Sequence, residues 1–90
     1  MRLLINIDVP DLERAIGFYE QAFGLTHAPP GAGGAEMSGA QAPIYLLEKA
    51  AGTPAAGATR QPRDYARHWT PVHLDVVVDD VDAVVTRAVA

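Results

Sequence analysis

Leu4-Ile5-Asn6-Ile7-Asp8-Val9-Pro10-Asp11-Leu12-Glu13-Arg14-Ala15-Ile16 aligns without gaps on His73-Leu74-Asp75-Val76-Val77-Val78-Asp79-Asp80-Val81-Asp82-Ala83-Val84-Val85. Each stretch reads as an alternating strand, an aspartate stop and the opening of an amphipathic helix. Val9 with Val78 and Asp11 with Asp80 are identical. Elsewhere it is the order of apolar, polar and capping positions that repeats, and a strand-helix unit begun twice indicates a duplicated module. The first copy is followed by enough chain for further strands. The second stops inside or just after its helix, so its sheet is expected either from a partner or from a longer chain than this shortened one.

Working outward from the first stretch, residues 3–9 alternate. Leu3, Ile5, Ile7 and Val9 fall on the face expected to be covered by helices, and Leu4, Asn6 and Asp8 on the other. Pro10 and Asp11 end the strand, Asp11 caps the next helix, and Glu13 suits its first turn. Leu12, Ala15, Ile16, Tyr19 and Phe23 recur at helical spacing, with Gly24 as the C-cap.

A short strand is expected over residues 25–28, another over 35–38, and a stronger one over 44–47. The Pro29-Pro30-Gly31-Ala32-Gly33-Gly34 turn lacks the residue order of a phosphate-binding loop, and no helix opens after it. Residues 49–62, rich in alanine, glycine and threonine, read as a linker or mobile loop. Arg63-Asp64-Tyr65-Ala66-Arg67-His68-Trp69 follows. Its arginines offer forked donors for a carboxylate or phosphate and its aromatics offer stacking surface, unless Trp69 merely anchors the loop in the core and the arginines lie in water.

The second stretch is expected to place Val72, Leu74, Val76 and Val78 on one strand face and His73, Asp75 and Val77 on the other. Asp80 then caps a helix with Val81, Val84, Val85 and Ala88 on one stripe. The division is therefore residues 1–48 as a βαβββ module, 49–71 as a linker, and 72–90 as the strand and helix of an incomplete second module. The fold class is α+β.

Composition narrows the function. A chain of 90 residues suffices for one small domain with limited stability margin, and 49% hydrophobic against 20% charged residues is ordinary for a folded protein. The absence of cysteine excludes disulfides and thiolate metal sites. A net charge of −4 argues against nucleic acid as a partner, leaving a small molecule or a protein. No apolar run approaches the ~20 residues of a membrane span, so a cytoplasmic location is expected.

The order of these elements, with Val9-Pro10-Asp11-Leu12-Glu13-Arg14-Ala15, Phe18-Tyr19, Phe23-Gly24-Leu25 and Val78-Asp79-Asp80-Val81-Asp82, resembles the vicinal oxygen chelate superfamily. That superfamily contains glyoxalases, bleomycin-resistance proteins and extradiol dioxygenases. The resemblance implies paired βαβββ modules curled into a cup, a homodimer or strand exchange, and in active members a divalent metal held by first and last strands. Carried over by position, the ligands fall at Leu4, near Tyr45, and at His73, with the last beyond Ala90. A shift of register would bring Glu48 into the fourth-strand position.

Leucine has no lone pair to offer, neutral tyrosine is a poor ligand, and one histidine does not replace three or four. No metal or other cofactor is therefore expected. His73 and Asp75, two apart on a strand, project to one side ~7 Å apart. Paired as in the relatives, they share the cup with Asn6 and Asp8, and Tyr45 joins them as a ligand-binding candidate. His73 is the one weak catalytic candidate, as an acid-base group. The alternative is a wet groove in which these groups only solvate one another. Expected function is thus metal-independent binding of a small organic molecule. The rivals are a metal-dependent lyase or dioxygenase completed by a partner, and a noncatalytic dimerisation or regulatory module. His27 and His68 read as surface residues, and Met37 as a residue of either the cup or the core.

Overall fold

The computed structural model describes residues 1–29, 31–68 and 70–90. The expected roles of Trp69 and of Pro30 in its turn lie outside them. The elements are β1 (Ile5–Val9), α1 (Leu12–Phe23), β2 (Thr26–His27), β3 (Gly34–Ser38), β4 (Ile44–Glu48) and α2 (Val81–Val89). The four strands form one mixed sheet in the order β1-β4-β3-β2. β1 runs parallel to β4, with Asn6 opposite Tyr45 and Asp8 opposite Leu47, while β3 is antiparallel to both β4 and β2. The class is α+β, as the sequence indicates.

The β1 to α1 junction follows from local chemistry. Asp11 is extended at φ −140°, and its carboxylate accepts the Arg14 N–H at 3.1 Å, satisfying one of the free amides of the first turn. A second comes from across the sheet: the Leu12 N–H donates to Oε2 of Glu48 at 3.0 Å. At the far end Gly24 takes φ 67°, a left-handed conformation natural to glycine, and its N–H returns to the Glu20 carbonyl at 2.9 Å.

α1 lays Leu12 and Ile16 on the sheet, where they meet Val9, Leu25, Ala35, Met37 and Leu46, with Ile7, Ala15, Tyr19, Phe23 and Ile44 packed around them. Met37 and Leu46 are fully enclosed at 0% exposure. Each such side chain contributes about 1.5–3 kcal/mol of transfer free energy. Met37 is thereby a core residue and not part of a cup.

Residues 52–63 do not run free as a linker. The Gly52 N–H donates to the Arg63 carbonyl at 2.9 Å, Arg63 N–H to Thr53 O at 2.7 Å and Ala55 N–H to Gln61 O at 2.8 Å, forming a narrow return. The strand expected over residues 72–78 is absent. These residues join no ladder and make no main-chain to main-chain hydrogen bond among the described residues. Alternation specifies a strand only where an edge is in hydrogen-bonding register. The outer edge of β1 is separated from this segment by the cleft described below.

α2 forms as expected, with the Asp80 carboxylate accepting the Ala83 N–H at 3.0 Å. It packs beside the end of α1, where Gln21 Nε2 donates to the Arg87 carbonyl at 2.8 Å and Arg87 Nε to the Ala22 carbonyl at 3.3 Å. The expected stripe divides: Ala83, Val84 and Ala88 are half-buried, while Val81, Val85 and Val89 face solvent. α1 covers only one side of α2, so a helix apolar on both sides leaves one uncovered.

Candidate functional site

The principal cleft runs along the edge of the sheet. The Ile5 N–H donates to Pro43 O at 3.0 Å, and Val9 O accepts from Lys49 N–H at 2.9 Å, both toward β4. Main-chain groups of alternate strand residues point to opposite edges, so those of Asn6 and Asp8 face the open side of β1. Residues 4–8, of both alternating sets, line one wall of an open cleft of about 900 Å³. Consecutive strand residues touch one cavity only where that cavity follows the edge. The opposite wall is built from residues 61–65, His68, Thr70, Val72 and Leu74.

Arg63 joins the two walls. Its Nε donates to Asp8 Oδ2 at 2.8 Å, and its Nη1 donates to Thr53 Oγ1 at 3.0 Å and to Pro54 O at 2.5 Å. Its side chain is 17% exposed against 36% for Asp8. Two residues on, the Tyr65 hydroxyl donates to Lys49 O at 2.7 Å. Desolvation, then the Asp8 carboxylate, lifts the Tyr65 phenol above its ordinary value of 10.0, with Arg63 opposing. Near neutral pH Tyr65 is a neutral donor, and no base of unusual strength is created.

Asn6 and Asp8 line the cleft. Tyr45 stands opposite Asn6 in register and is half-buried, outside the lining. His73 and Asp75 are exposed and also outside it, whereas their neighbours Val72 and Leu74 face the cavity. The structure therefore brings together Asn6 and Asp8 and does not bring His73 or Asp75 to them.

Sequence reasoning undervalued Arg63 and Tyr65. The signal for Arg63 was its place in a short polar-aromatic segment, but its partner lies 55 positions away. His27 and His68 are both exposed, as expected of surface residues; His68 lines the cleft, and His27 bonds through Nδ1 to Glu20 on α1. Arg67 is exposed, as a solvated loop arginine would be.

The family-type metal positions that fall among the described residues do not come together as a donor set. Leu4 is apolar and Tyr45 is half-buried outside the cleft lining; Glu48 is turned to the start of α1, and His73 is outside that lining as well. Among the described residues no group of three or more histidine, cysteine, aspartate or glutamate side chains could hold a metal ion.

A four-stranded mixed sheet with its helix between the first and second strands, and an open cleft on the β1 edge, defines the class as a glyoxalase-like βαβββ module. The chain belongs to the glyoxalase-like domain family of the vicinal oxygen chelate superfamily, matched over residues 4–90. No curated protein and no solved structure matches it. No helix among the described residues is long and apolar enough to cross a membrane.

Proposed function

We propose that this protein is a metal-independent, small-molecule-binding member of the family, holding an organic ligand in the cleft along β1. The observation that carries the reading is the chemistry of that cleft. Its volume of about 900 Å³ suits a small ligand, its walls combine Leu4, Val72 and Leu74 with Asn6, Asp8 and Arg63, and the Asn6 and Asp8 main-chain groups have no partner among the described residues. An apolar cavity with a few convergent polar groups is the usual form of a ligand site.

Association with a second copy belongs to the same reading. Val72, Leu74, Val76 and Val77 are 55–97% exposed, and Val81, Val85 and Val89 extend the uncovered apolar surface. The test combines light scattering, elemental analysis and a fragment screen by amide chemical-shift mapping on the purified chain. A metal-free protein whose Asn6, Asp8 and Leu74 amides respond to fragments is expected. One tightly held divalent ion per chain or per dimer would overturn metal independence and favour the lyase or dioxygenase reading.

A further inference from the structure

We infer that the cleft selects organic anions, and that Asp8 occupies on Arg63 the position a ligand carboxylate or phosphate would take. This rests on the proposed binding role of the cleft and names the class of ligand. Arg63 is the only lysine or arginine among the described residues that line it. Its main chain is pinned on both sides by bonds to Gly52 and Thr53, and its Nη1 is held by Thr53 and Pro54. These four bonds lie within the return of residues 52–63 and do not involve Asp8. The guanidinium therefore remains positioned when Asp8 releases it.

A guanidinium has five donors in a fixed fork. Nη1 is committed, Nε meets Asp8 through one oxygen, and Nη2 has no partner among the described residues. Nε and Nη2 together form the side-on fork that fits a carboxylate or phosphate bidentately, while Asp8 uses only half of it. Asp8, the more exposed of the two, is the partner that solvent can take up on displacement. Thr53 and Pro54 are neutral, so the Asp8 contact is the one that satisfies the charge of Arg63. An entering anion exchanges one ion pair of Arg63 for another, and a neutral ligand leaves the pair unchanged; Asp64, the second carboxylate of the lining, accepts the Ala66 N–H at 2.9 Å and makes no bond to Arg63 among the described residues. Leu4, Pro62, Val72 and Leu74 supply contact for an apolar body beside the fork.

The test titrates the isotope-labelled chain with phenylacetate, phenyl phosphate and the neutral benzyl alcohol, following the Asn6, Asp8 and Leu74 amides. One or both anions should bind in the cleft, and their relative affinity tells carboxylate from phosphate. Asp8→Asn removes the internal competitor and should tighten the anions about two- to fivefold. Arg63→Gln should weaken them about tenfold or more, with benzyl alcohol indifferent to both changes. Because Asp8→Asn leaves the bonds from Arg63 to Thr53 and Pro54 intact, its sign decides the matter even where Arg63→Gln unfolds. Unchanged or weaker anion binding in Asp8→Asn, or benzyl alcohol binding as well as the anions, would overturn the anion assignment while leaving a ligand cleft. No response to any of the probes would overturn it together with the binding role.

Discussion

Replacing Glu48 by alanine should destabilise the fold by roughly 1.5 kcal/mol through the loss of one hydrogen bond. The Glu48 carboxylate accepts the Leu12 N–H at 3.0 Å, at the start of α1 and beside a core residue. Bonds to charged groups contribute about 1.5–3 kcal/mol, and a carboxylate at a helix N-terminus adds about 0.3–1 kcal/mol. Glu48 is open to water, and screening brings the sum to roughly 1.5 kcal/mol, just under the ~1.8 kcal/mol at which the combined range begins. For a domain of this size the loss corresponds to a fall in Tm of roughly 6–12 °C. Glu48→Gln keeps an acceptor oxygen and loses the charge, so it should cost only about 0.5 kcal/mol. Glu36→Ala is the control: it deletes the same charge from an exposed position on β3, whose side chain makes no hydrogen bond among the described residues. Urea unfolding followed by circular dichroism measures all three. If Glu48→Ala is no more destabilised than Glu36→Ala, the tie between β4 and α1 contributes nothing.

Two further outcomes test the core. Burial holds the Tyr19 phenol above its ordinary value of 10.0, so both states are neutral and stability is at its full value below that pH. As pH rises through 10 the unfolded chain ionises first, and stability falls until the folded phenol follows; denaturant midpoints from about pH 8 to about pH 11 should drop less in Tyr19→Phe than in wild type. An identical decline in both would assign the loss to other groups. Leu46→Ala, at a fully enclosed position of β4, should cost about 2–5 kcal/mol, a large share of the stability of so small a domain; a loss below about 1 kcal/mol would mean that the sheet collapses readily onto α1.

The local grammar of the first module was legible because each signal acts over a few residues. Pro10 and Asp11 stop the strand and cap the helix whatever surrounds them. Gly24 ends α1 because the left-handed region suits it, and the spacing of Leu12, Ala15, Ile16, Tyr19 and Phe23 fixes which side of the helix meets the sheet. The same holds for Asp80 and α2. Residues 72–78 mark the boundary of this kind of inference. Their alternation matches that of β1, yet β1 has β4 in register beside it and residues 72–78 have no paired edge among the described residues.

By itself, the sequence determined the βαβββ order, the caps, the apolar face of α1 and the family, since these depend on periodicity and on nearest neighbours along the chain. Only the tertiary structure decided the site. It turned Glu48 toward α1, left His73 and Asp75 outside the cleft, and carried Arg63 across 55 positions to Asp8. A contact between residues far apart in the chain depends on how loops return over the sheet, and a loop of alanine, glycine and threonine has no periodicity from which that return can be read.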